Sequence, residues 1–330
     1  MKASSSVADI VNEFAWSWSR HEHFYQCPRK IYWQYYGSWG GWEETAPHDA
    51  ALAYRLKQIK SMAMLVGQLF HDVIAERLRL RADAPAPVPE AQIKGEVERR
   101  FLKRVRESSD RDWERFAQPK KYAILFEDYY GPGVSEAMRD VAIEQIGTCA
   151  RTLASSWYGR RAFAVPKNRM RLVDPQSFDN RKISVDGTIV YAAPDLVVED
   201  AQGLVHIIDW KTGRTGKASV AQLAVYGLLV SEKLGAPIER VRAHLVYLAS
   251  GEVEVRENLR EGVAEARRMI STYTADVHSR LTDIAANMAG DIGQFPMTQN
   301  QSLCRRCNFR EICGRLDQSP VAPVDEGSEI

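Results

Sequence analysis

Two aspartates and one lysine stand at the ends of two neighbouring strands that the residue pattern predicts in the middle of the sequence. Asp195 precedes the apolar run "LVVED", and Asp209 ends the run "LVHIID", with Lys211 two residues further on. Because side chains alternate along an extended strand, Asp209 and Lys211 point to the same face. If the two strands pair antiparallel across the short "AQG" turn, Asp195 approaches the same point.

This grouping of charges indicates a metal site, and it has a plain alternative. Two carboxylates at one place repel each other unless a cation lies between them, which is how oxygen ligands hold hard divalent metals. A lysine beside them can orient or help deprotonate an attacking water, or balance the charge of a phosphate. The alternative is a surface ion pair between Asp209 and Lys211. The apolar run before Asp209 weighs against it, because a carboxylate that ends a buried strand needs a partner.

The stretch "CRRCNFREIC" (304–313) brings together three cysteines, and the two others, Cys27 and Cys149, lie far upstream. Three thiolates alone leave a metal site one ligand short. We expect a cytoplasmic protein, since the N-terminus lacks the apolar stretch of a secretory signal. Reduced thiols in that compartment favour metal binding over disulfides. Cys149 is expected to be a small core residue.

The bulk composition limits the possible classes of protein. The chain has 330 residues, of which 45% are hydrophobic and 26% charged, as in soluble globular proteins. No apolar run approaches the length of a membrane span, so we expect no membrane association. The net charge of +1 indicates no partner by itself. Residues 151–182 carry eight basic side chains against two acidic ones, which fits either a phosphate-binding groove or solvated helix faces and loops.

The hydrophobic periodicity predicts an α/β protein with helical material before a mixed core. The predicted helices cover residues 10–37, 50–81, most of 90–160, 217–234 and 261–288. "KISVDGTIVYA" (182–192) predicts a hairpin around an Asp-Gly turn, and "RVRAHLVYLAS" (240–250) predicts a strand after the two that carry the acids. The tail after Leu316 has the composition of a disordered segment.

Four short motifs follow one another along the chain. They are "GQLFH" (67–71) on a predicted helix, "PD" ending at Asp195, "DWK" (209–211) and "QLAVY" (222–226) on the next helix. In this order they resemble the RecB-like branch of the PD-(D/E)XK nuclease superfamily. The resemblance implies a restriction-endonuclease-like core, a central mixed sheet flanked by helices. One departure is "YAAPD", which has Ala192 and Ala193 where the family often has glycine before its first acid.

The resemblance also implies a role for each motif residue. One Mg²⁺ or Mn²⁺ ion would be held by His71, Asp195, Asp209 and the backbone carbonyl of Trp210. Lys211 would position or activate the attacking water. Gln222 and Tyr226, four residues apart and therefore on one side of their helix, would steady water or substrate. The implied activity is that of a deoxyribonuclease, an exonuclease on single-stranded DNA or DNA ends, in repair, recombination, or CRISPR or anti-phage defence.

A subset of that branch carries the same cysteine spacing, C-x2-C-x5-C, together with one cysteine far upstream. The subset includes the CRISPR-associated RecB-like exonucleases, the AddB nuclease domain and exonuclease V, and "FYQCPRK" around Cys27 is similar to its upstream element. The resemblance implies a [4Fe–4S] cluster held by Cys27, Cys304, Cys307 and Cys313. Four thiolates would also suit zinc, although zinc sites more often show two close pairs of cysteines. The aromatic residues near these cysteines either shield the cluster or stack on unpaired bases.

The predicted organisation has five parts. They are an N-terminal helical region (1–81), a helical insertion (82–165), the nuclease core (166–290), the iron–sulfur element (291–316) and a disordered tail (317–330). "GRTGKAS" (213–219) has Lys211 where a phosphate-binding loop needs its first glycine, so we expect no ATP site and any helicase to be a separate chain. The alternative function is a DNA-binding or scaffold subunit of a larger complex with helicase or defence proteins, inactive without its partner.

Overall fold

A computed structural model describes residues 11–80, 86–174, 181–213 and 220–321. Its centre is a mixed sheet flanked by helices, which confirms the α/β expectation. Most of the rejected phosphate-loop segment and the end of the tail from residue 322 lie outside the described residues.

The described residues form eleven strands, and five of them make up the central sheet. The strands are β1 Ile59–Lys60, β2 Ile124–Leu125, β3 Met170–Val173, β4 Lys182–Val185, β5 Thr188–Tyr191, β6 Leu196–Glu199, β7 Val205–Lys211, β8 Val241–Tyr247, β9 Val253–Arg256, β10 Leu281–Asp283 and β11 Met288–Ala289. The five-stranded sheet has the order β3-β6-β7-β8-β9. Only β7 and β8 pair in parallel within it, and the other neighbours are antiparallel. The pairs β1–β2, β4–β5 and β10–β11 lie outside this sheet.

Helices precede, connect and follow the strands. The helices are α1 Trp18–Gln26, α2 Pro28–Ile31, α3 His48–Leu56, α4 Met62–Leu80, α5 Glu90–Ser109, α6 Asp112–Arg115, α7 Phe126–Tyr129, α8 Glu136–Ser155, α9 Trp157–Ala164, α10 Val220–Leu234, α11 Arg260–His278 and α12 Gln301–Arg305. A π-helix, Tyr32–Gly37, continues α2. No helix within the described ranges is both long and apolar enough to cross a membrane.

The sheet lies between two helical layers because alternate residues of its strands are apolar on opposite faces. On one face, Ile208 and Trp210 of β7 pack with Phe70 of α4 and with α5, α8 and α9, and Cys149 of α8 is fully buried in this core. On the other face, Ile207 packs with Leu223 of α10. Helix α10 connects the parallel strands β7 and β8, and parallel strands require such a crossover. Helix α4 and helix α10 therefore approach the same strand from opposite sides.

The helices predicted at 10–37 and 50–81 are each interrupted in the structure, so both predictions are wrong. Local chemistry explains the interruption of the first. Helix α1 ends at Gln26, Cys27 has an extended backbone with φ −163°, and Pro28 opens α2. Proline lacks an N–H and restricts the residue before it to extended conformations, so the helix cannot continue through Cys27. The break leaves Cys27 in the bend between two helices.

The second break divides the predicted helix 50–81, and tertiary pairing explains it. Helix α3 ends at Leu56, and Ile59 pairs with Ile124 in the parallel β1–β2 pair. Helix α4 then starts afresh, with the Ser61 hydroxyl accepting from the N–H of Met64 at 3.2 Å. Such a side-chain cap satisfies a donor that the first turn of a helix leaves without a partner.

The strand predictions agree more closely with the structure. The hairpin β4–β5 turns at Asp186 and Gly187, both with positive φ (50° and 83°), as a two-residue Asp-Gly turn requires. The predicted helix 261–288, in contrast, ends at His278, because the following residues form the short antiparallel pair β10–β11.

Candidate active site and cysteine cavity

The antiparallel register of β6 and β7 places Asp195 beside the end of β7. Leu196 pairs with Ile208, so the same register, continued by one residue, places Asp195 opposite Asp209 on the neighbouring strand. The N–H of Trp210 donates to Asp195 Oδ2 at 2.7 Å. Since the N–H and C=O of one strand residue point toward the same neighbour, the carbonyl of Trp210 is directed to this side as well.

Helix α4 brings His71 to the same carboxylate. His71 Nδ1 donates to Asp195 Oδ1 at 2.7 Å, and the two side chains are 12% and 14% exposed. Phe70 and Ile74 of the same helix are buried in the core against the sheet, which fixes the position of His71. Both oxygens of Asp195 therefore accept a hydrogen bond, one from the helix and one from the neighbouring strand.

Asp209 and Lys211 form an ion pair on the face of β7 that α10 covers. Lys211 Nζ lies 2.9 Å from Asp209 Oδ2, at an angle that is not that of a hydrogen bond, and both side chains are almost fully buried. The backbone of Lys211 is held from β8, because the N–H of Leu248 donates to its carbonyl at 2.7 Å. The alternative of a surface ion pair is therefore wrong, since the pair is inside the protein.

Gln222 and Tyr226 of α10 lie over the same face. Gln222 Nε2 is 3.5 Å from the hydroxyl of Tyr226, one helical turn away. Burial raises the pKa of Tyr226 well above its ordinary value, and the nearby carboxylates of Asp209 and Asp195 raise it further. Tyr226 therefore stays protonated and faces both aspartates.

The two carboxylates are close enough to affect each other's environment. Burial raises the pKa of Asp195, Asp209 adds to this effect, and His71 opposes it. Burial alone would lower the pKa of His71, but Asp195 and Asp209 outweigh burial and raise it. The cluster thus behaves as one electrostatic unit in which negative charge must be compensated.

The donor atoms of this cluster suit a divalent cation, although they are paired with one another in the structure. His71 Nε2 is buried and has no hydrogen-bond partner among the described residues. Imidazole nitrogen, carboxylate and carbonyl oxygens are ligands that Mn²⁺ and Mg²⁺ accept. Within the described ranges, however, no three His, Cys, Asp or Glu side chains are grouped so that they could hold a metal ion. Each carboxylate instead lies beside its own partner, Asp195 in a hydrogen bond with His71 and Asp209 in an ion pair with Lys211.

Two contacts that the sequence did not indicate hold this cluster in place. The N–H of Asp174, at the end of β3, donates to the carbonyl of Asp195 at 2.8 Å. Gln145 of α8 donates to the carbonyl of Thr212, directly after Lys211, at 2.8 Å. Neither residue belongs to a recognisable motif, so no signal in the sequence could have identified them. Ala192 and Ala193, which stand where the family often has glycine, do not displace Asp195, which lies directly before the first residue of β6.

The predicted cysteine ligands lie around one cavity of about 430 Å³. Cys27 comes from the bend between α1 and α2, Cys304 from α12, and Cys307 and Cys313 from the turns that follow. All four are free thiols, and Cys149 is buried elsewhere, in the core against the sheet. Phe309 packs with Trp33 and the residues around β1, which ties the C-terminal segment to the N-terminal helices.

The thiols of this cavity influence one another. Burial raises the pKa of Cys304, Cys307 and Cys313, and neighbouring thiols contribute to each of these shifts. For Cys313 the pKa rises to about 12. The sulfur atoms are not arranged as a metal-binding group among the described residues. Thiols that raise each other's pKa need a cation or a metal if they are to ionise together.

Comparison with known proteins gives one match. A family model for the PD-(D/E)XK nuclease superfamily matches residues 15–314. The matched region includes the cluster around Asp195 and Asp209 and all of the cavity cysteines. No curated protein matches the chain.

Proposed function

We propose that this chain, which belongs to the PD-(D/E)XK nuclease superfamily, is a metal-dependent nuclease that hydrolyses phosphodiester bonds of DNA in the cytoplasm. Membership of the superfamily suggests a nuclease. The observation that carries the proposal is the meeting of His71, Asp195, Asp209 and Lys211 at the end of β7, although these residues come from distant parts of the chain. We further propose that the substrate is single-stranded DNA or a DNA end, cut as by an exonuclease.

In the proposed mechanism, His71, Asp195, Asp209 and the Trp210 carbonyl would hold Mg²⁺ or Mn²⁺. When bound, the metal stabilises negative charge on the scissile phosphate. The hydrogen bond from His71 Nδ1 to Asp195 fixes the imidazole ring, so that Nε2 is the nitrogen available to a ligand. Lys211 positions the attacking water and compensates the charge of the phosphate.

Gln222 and Tyr226 contribute through hydrogen bonding rather than proton transfer. The raised pKa of Tyr226 keeps its hydroxyl protonated, so that it can donate to a carboxylate or to a phosphate oxygen. Gln222 orients that hydroxyl from the preceding turn. We propose that the pair steadies water or substrate on the α10 face of the site.

The direct test is cleavage of a labelled single-stranded DNA by the full chain with Mn²⁺. Asp209→Asn and Lys211→Met are each expected to lower the rate by about 10³-fold or more, because each removes a charge from the reacting centre. Asp186→Asn, in the exposed turn between β4 and β5, is the matched control and should cleave at the wild-type rate. Full cleavage by either site variant would contradict the mechanism.

We also propose that Cys27, Cys304, Cys307 and Cys313 hold a [4Fe–4S] cluster. Support comes from their common cavity, from their mutual effect on thiol pKa values, and from the cations Arg29, Lys30, Arg310 and Arg315, which lower those pKa values. The cluster would join the two ends of the chain beside the nuclease core.

The cluster proposal is tested by colour and metal content. Protein purified without oxygen should be brown with broad visible absorbance, and Cys307→Ser should lose both absorbance and iron. Cys149→Ala, which changes a thiol in the other core, should keep them. A colourless wild-type protein with stoichiometric zinc would replace iron–sulfur by zinc.

The pairing of the charged groups favours one second candidate, a subunit that depends on a partner in repair, recombination, CRISPR or anti-phage defence. Lys211 lies against one oxygen of Asp209, and a helicase or defence protein bound nearby could favour an arrangement in which the whole carboxylate is available to a metal. No cleavage by the isolated chain, followed by cleavage on addition of a partner, would support this candidate.

A further inference from the structure

Two lysines in the segment between α3 and α4 line the cysteine cavity, and neither forms an ion pair with a carboxylate of the described residues. Lys57 and Lys60 are both partly buried and both line this cavity. Lys57 Nζ donates to the hydroxyl of Ser38 at 3.2 Å, and Lys60 Nζ donates to Gln68 Oε1. Both partners are neutral, and no carboxylate among the described residues forms an ion pair with either lysine.

Their electrostatic environment is unfavourable for a cation. Burial lowers the pKa of Lys57, and the positive charges of Lys120 and Arg20 lower it further. Burial also lowers the pKa of Lys60, against a weaker opposing effect of Asp72. A desolvated ammonium group that also meets other cations costs free energy unless an anion binds it.

The cysteine thiols are affected mainly by other cations than Lys57 and Lys60. The cations that act most strongly on the thiols are other residues, Lys30 on Cys307 and Arg29 on Cys313. Neither Lys57 nor Lys60 is among the groups with the largest effect on a thiol pKa. A phosphate that enters the cavity beside these two lysines would compensate their charge.

The position of Lys60 connects this wall to the active site. Its partner Gln68 lies on α4 three residues before His71, about 4.5 Å along the helix axis. Met64, one turn before Gln68, also lines the cavity. Met64, Gln68 and His71 thus lie on one side of α4, and this side leads from the cavity to the imidazole that faces Asp195.

We infer that Lys57 and Lys60 bind consecutive backbone phosphates of the nucleic acid and guide the strand along α4 to His71. The inference rests on the proposed nuclease function and extends it by a substrate-positioning site outside the catalytic cluster. Gln68 and Ser38 hold the two ammonium groups in place, and the substrate supplies the missing negative charge. Lys57 and Lys60 are positioning residues, since they act before the strand reaches the reacting atoms.

The experiment measures DNA binding in the absence of cleavage. A fluorescent single-stranded oligothymidylate is titrated with full-length protein in EDTA, and the dissociation constant is followed by anisotropy at several salt concentrations. In Lys57→Met/Lys60→Met, we expect the slope of log affinity against log salt to fall by about 1.4, since each phosphate contact on a single strand contributes about 0.7. Lys57→Arg/Lys60→Arg should keep the wild-type slope.

Lys94→Met is the matched control, because Lys94 forms an ion pair with Glu98 on α5 and does not line the cavity. Its salt slope should equal that of the wild type. The Met variants should unfold at the wild-type temperature or higher, since they lose a desolvated charge that has no partner. Should the double variant fail to fold, each single Met variant is expected to lower the slope by about 0.7.

Four outcomes separate this inference from the alternatives. An unchanged slope in the Met variants overturns it, and so does a wild-type protein that does not bind the oligonucleotide. Loss of iron from the Met variants with an unchanged slope assigns the lysines to the cysteines and also overturns it. Wild-type binding with the expected slopes, but without cleavage in Mn²⁺, supports the inference and contradicts the nuclease mechanism.

Discussion

The two ends of strand β7 both carry partly or fully buried polar groups, but these groups are satisfied in different ways. Near the start of the strand, the hydroxyl of Tyr158 donates to His244 Nδ1 (3.2 Å), His244 Nε2 donates to His206 Nδ1 (3.0 Å), and His206 Nε2 donates to Asp200 Oδ2 (3.1 Å). One set of neutral tautomers satisfies every group in this chain. At the far end, the ion pairs described above leave His71 Nε2 buried without a partner among the described residues.

The difference separates a structural network from a site that is prepared for a ligand. A hydrogen-bonded chain in which every group has a partner stabilises the fold without a ligand. A buried nitrogen without a partner costs about 1–3 kcal/mol, and the fold tolerates that cost where function requires the atom. We therefore expect changes at the far end of β7 to affect activity, and changes at its start to affect stability.

The largest expected effect concerns His71. His71→Ala should lower Mn²⁺-dependent cleavage by at least about 100-fold, or about 2.7 kcal/mol, because it removes the proposed metal ligand and the donor to Asp195. His244→Gln, at the start of the strand, should keep cleavage within about twofold of wild type when both are assayed well below their unfolding temperatures. Equal activity of His71→Ala and wild type would show that the two ends of β7 do not differ in their effect on activity.

For stability, we expect a change at the start of β7 to have a larger effect than a change at its far end. His244→Ala is expected to cost about 2–3 kcal/mol in urea unfolding, because it opens a cavity and leaves His206 and Tyr158 without a partner. Asp209→Asn with Lys211→Met should cost less than about 1 kcal/mol, since replacing both members of a buried ion pair is often neutral. A larger loss in the Asp209/Lys211 double variant than in His244→Ala would show that the active site stabilises the fold.

A further expected effect is a dependence of stability on pH that comes from one histidine. Burial, with contributions from His206 and Arg242, lowers the pKa of His244 to about 4 from an ordinary value of 6.5. Between these values the unfolded chain binds a proton that the folded protein excludes, so stability falls as the pH falls from about 6.5 to about 4. The loss is up to about 3 kcal/mol.

His244→Gln isolates this contribution, because every other titrating group remains. Urea unfolding at several pH values should show a flatter profile for the variant than for wild type across that window. Parallel profiles for the two proteins would mean that His244 is not held neutral by its surroundings.

The sequence predicted those parts of the site that depend on neighbouring residues. Alternation along β7 put Asp209 and Lys211 on one face, and helical spacing put Gln222 and Tyr226 on one side of α10, as the structure has them. The Asp-Gly hairpin followed in the same way, because its turn is fixed by two residues. Predictions that needed distant contacts were less accurate, and the helix predicted through 50–81 is divided because Ile59 finds a strand partner far along the chain.

What the sequence alone determined is the type and order of the reactive groups, since these follow from local chemistry and from periods of two and of three to four residues. Only the tertiary structure decided which groups meet. It brought His71 to Asp195, paired Asp209 with Lys211 in a buried ion pair, and placed Cys27 beside the cysteines at the other end of the chain. It also left Lys57 and Lys60 partly buried, with no ion pair to a carboxylate of the described residues. Burial and charge compensation depend on the sum of neighbours in space, and no local pattern of residues encodes that sum.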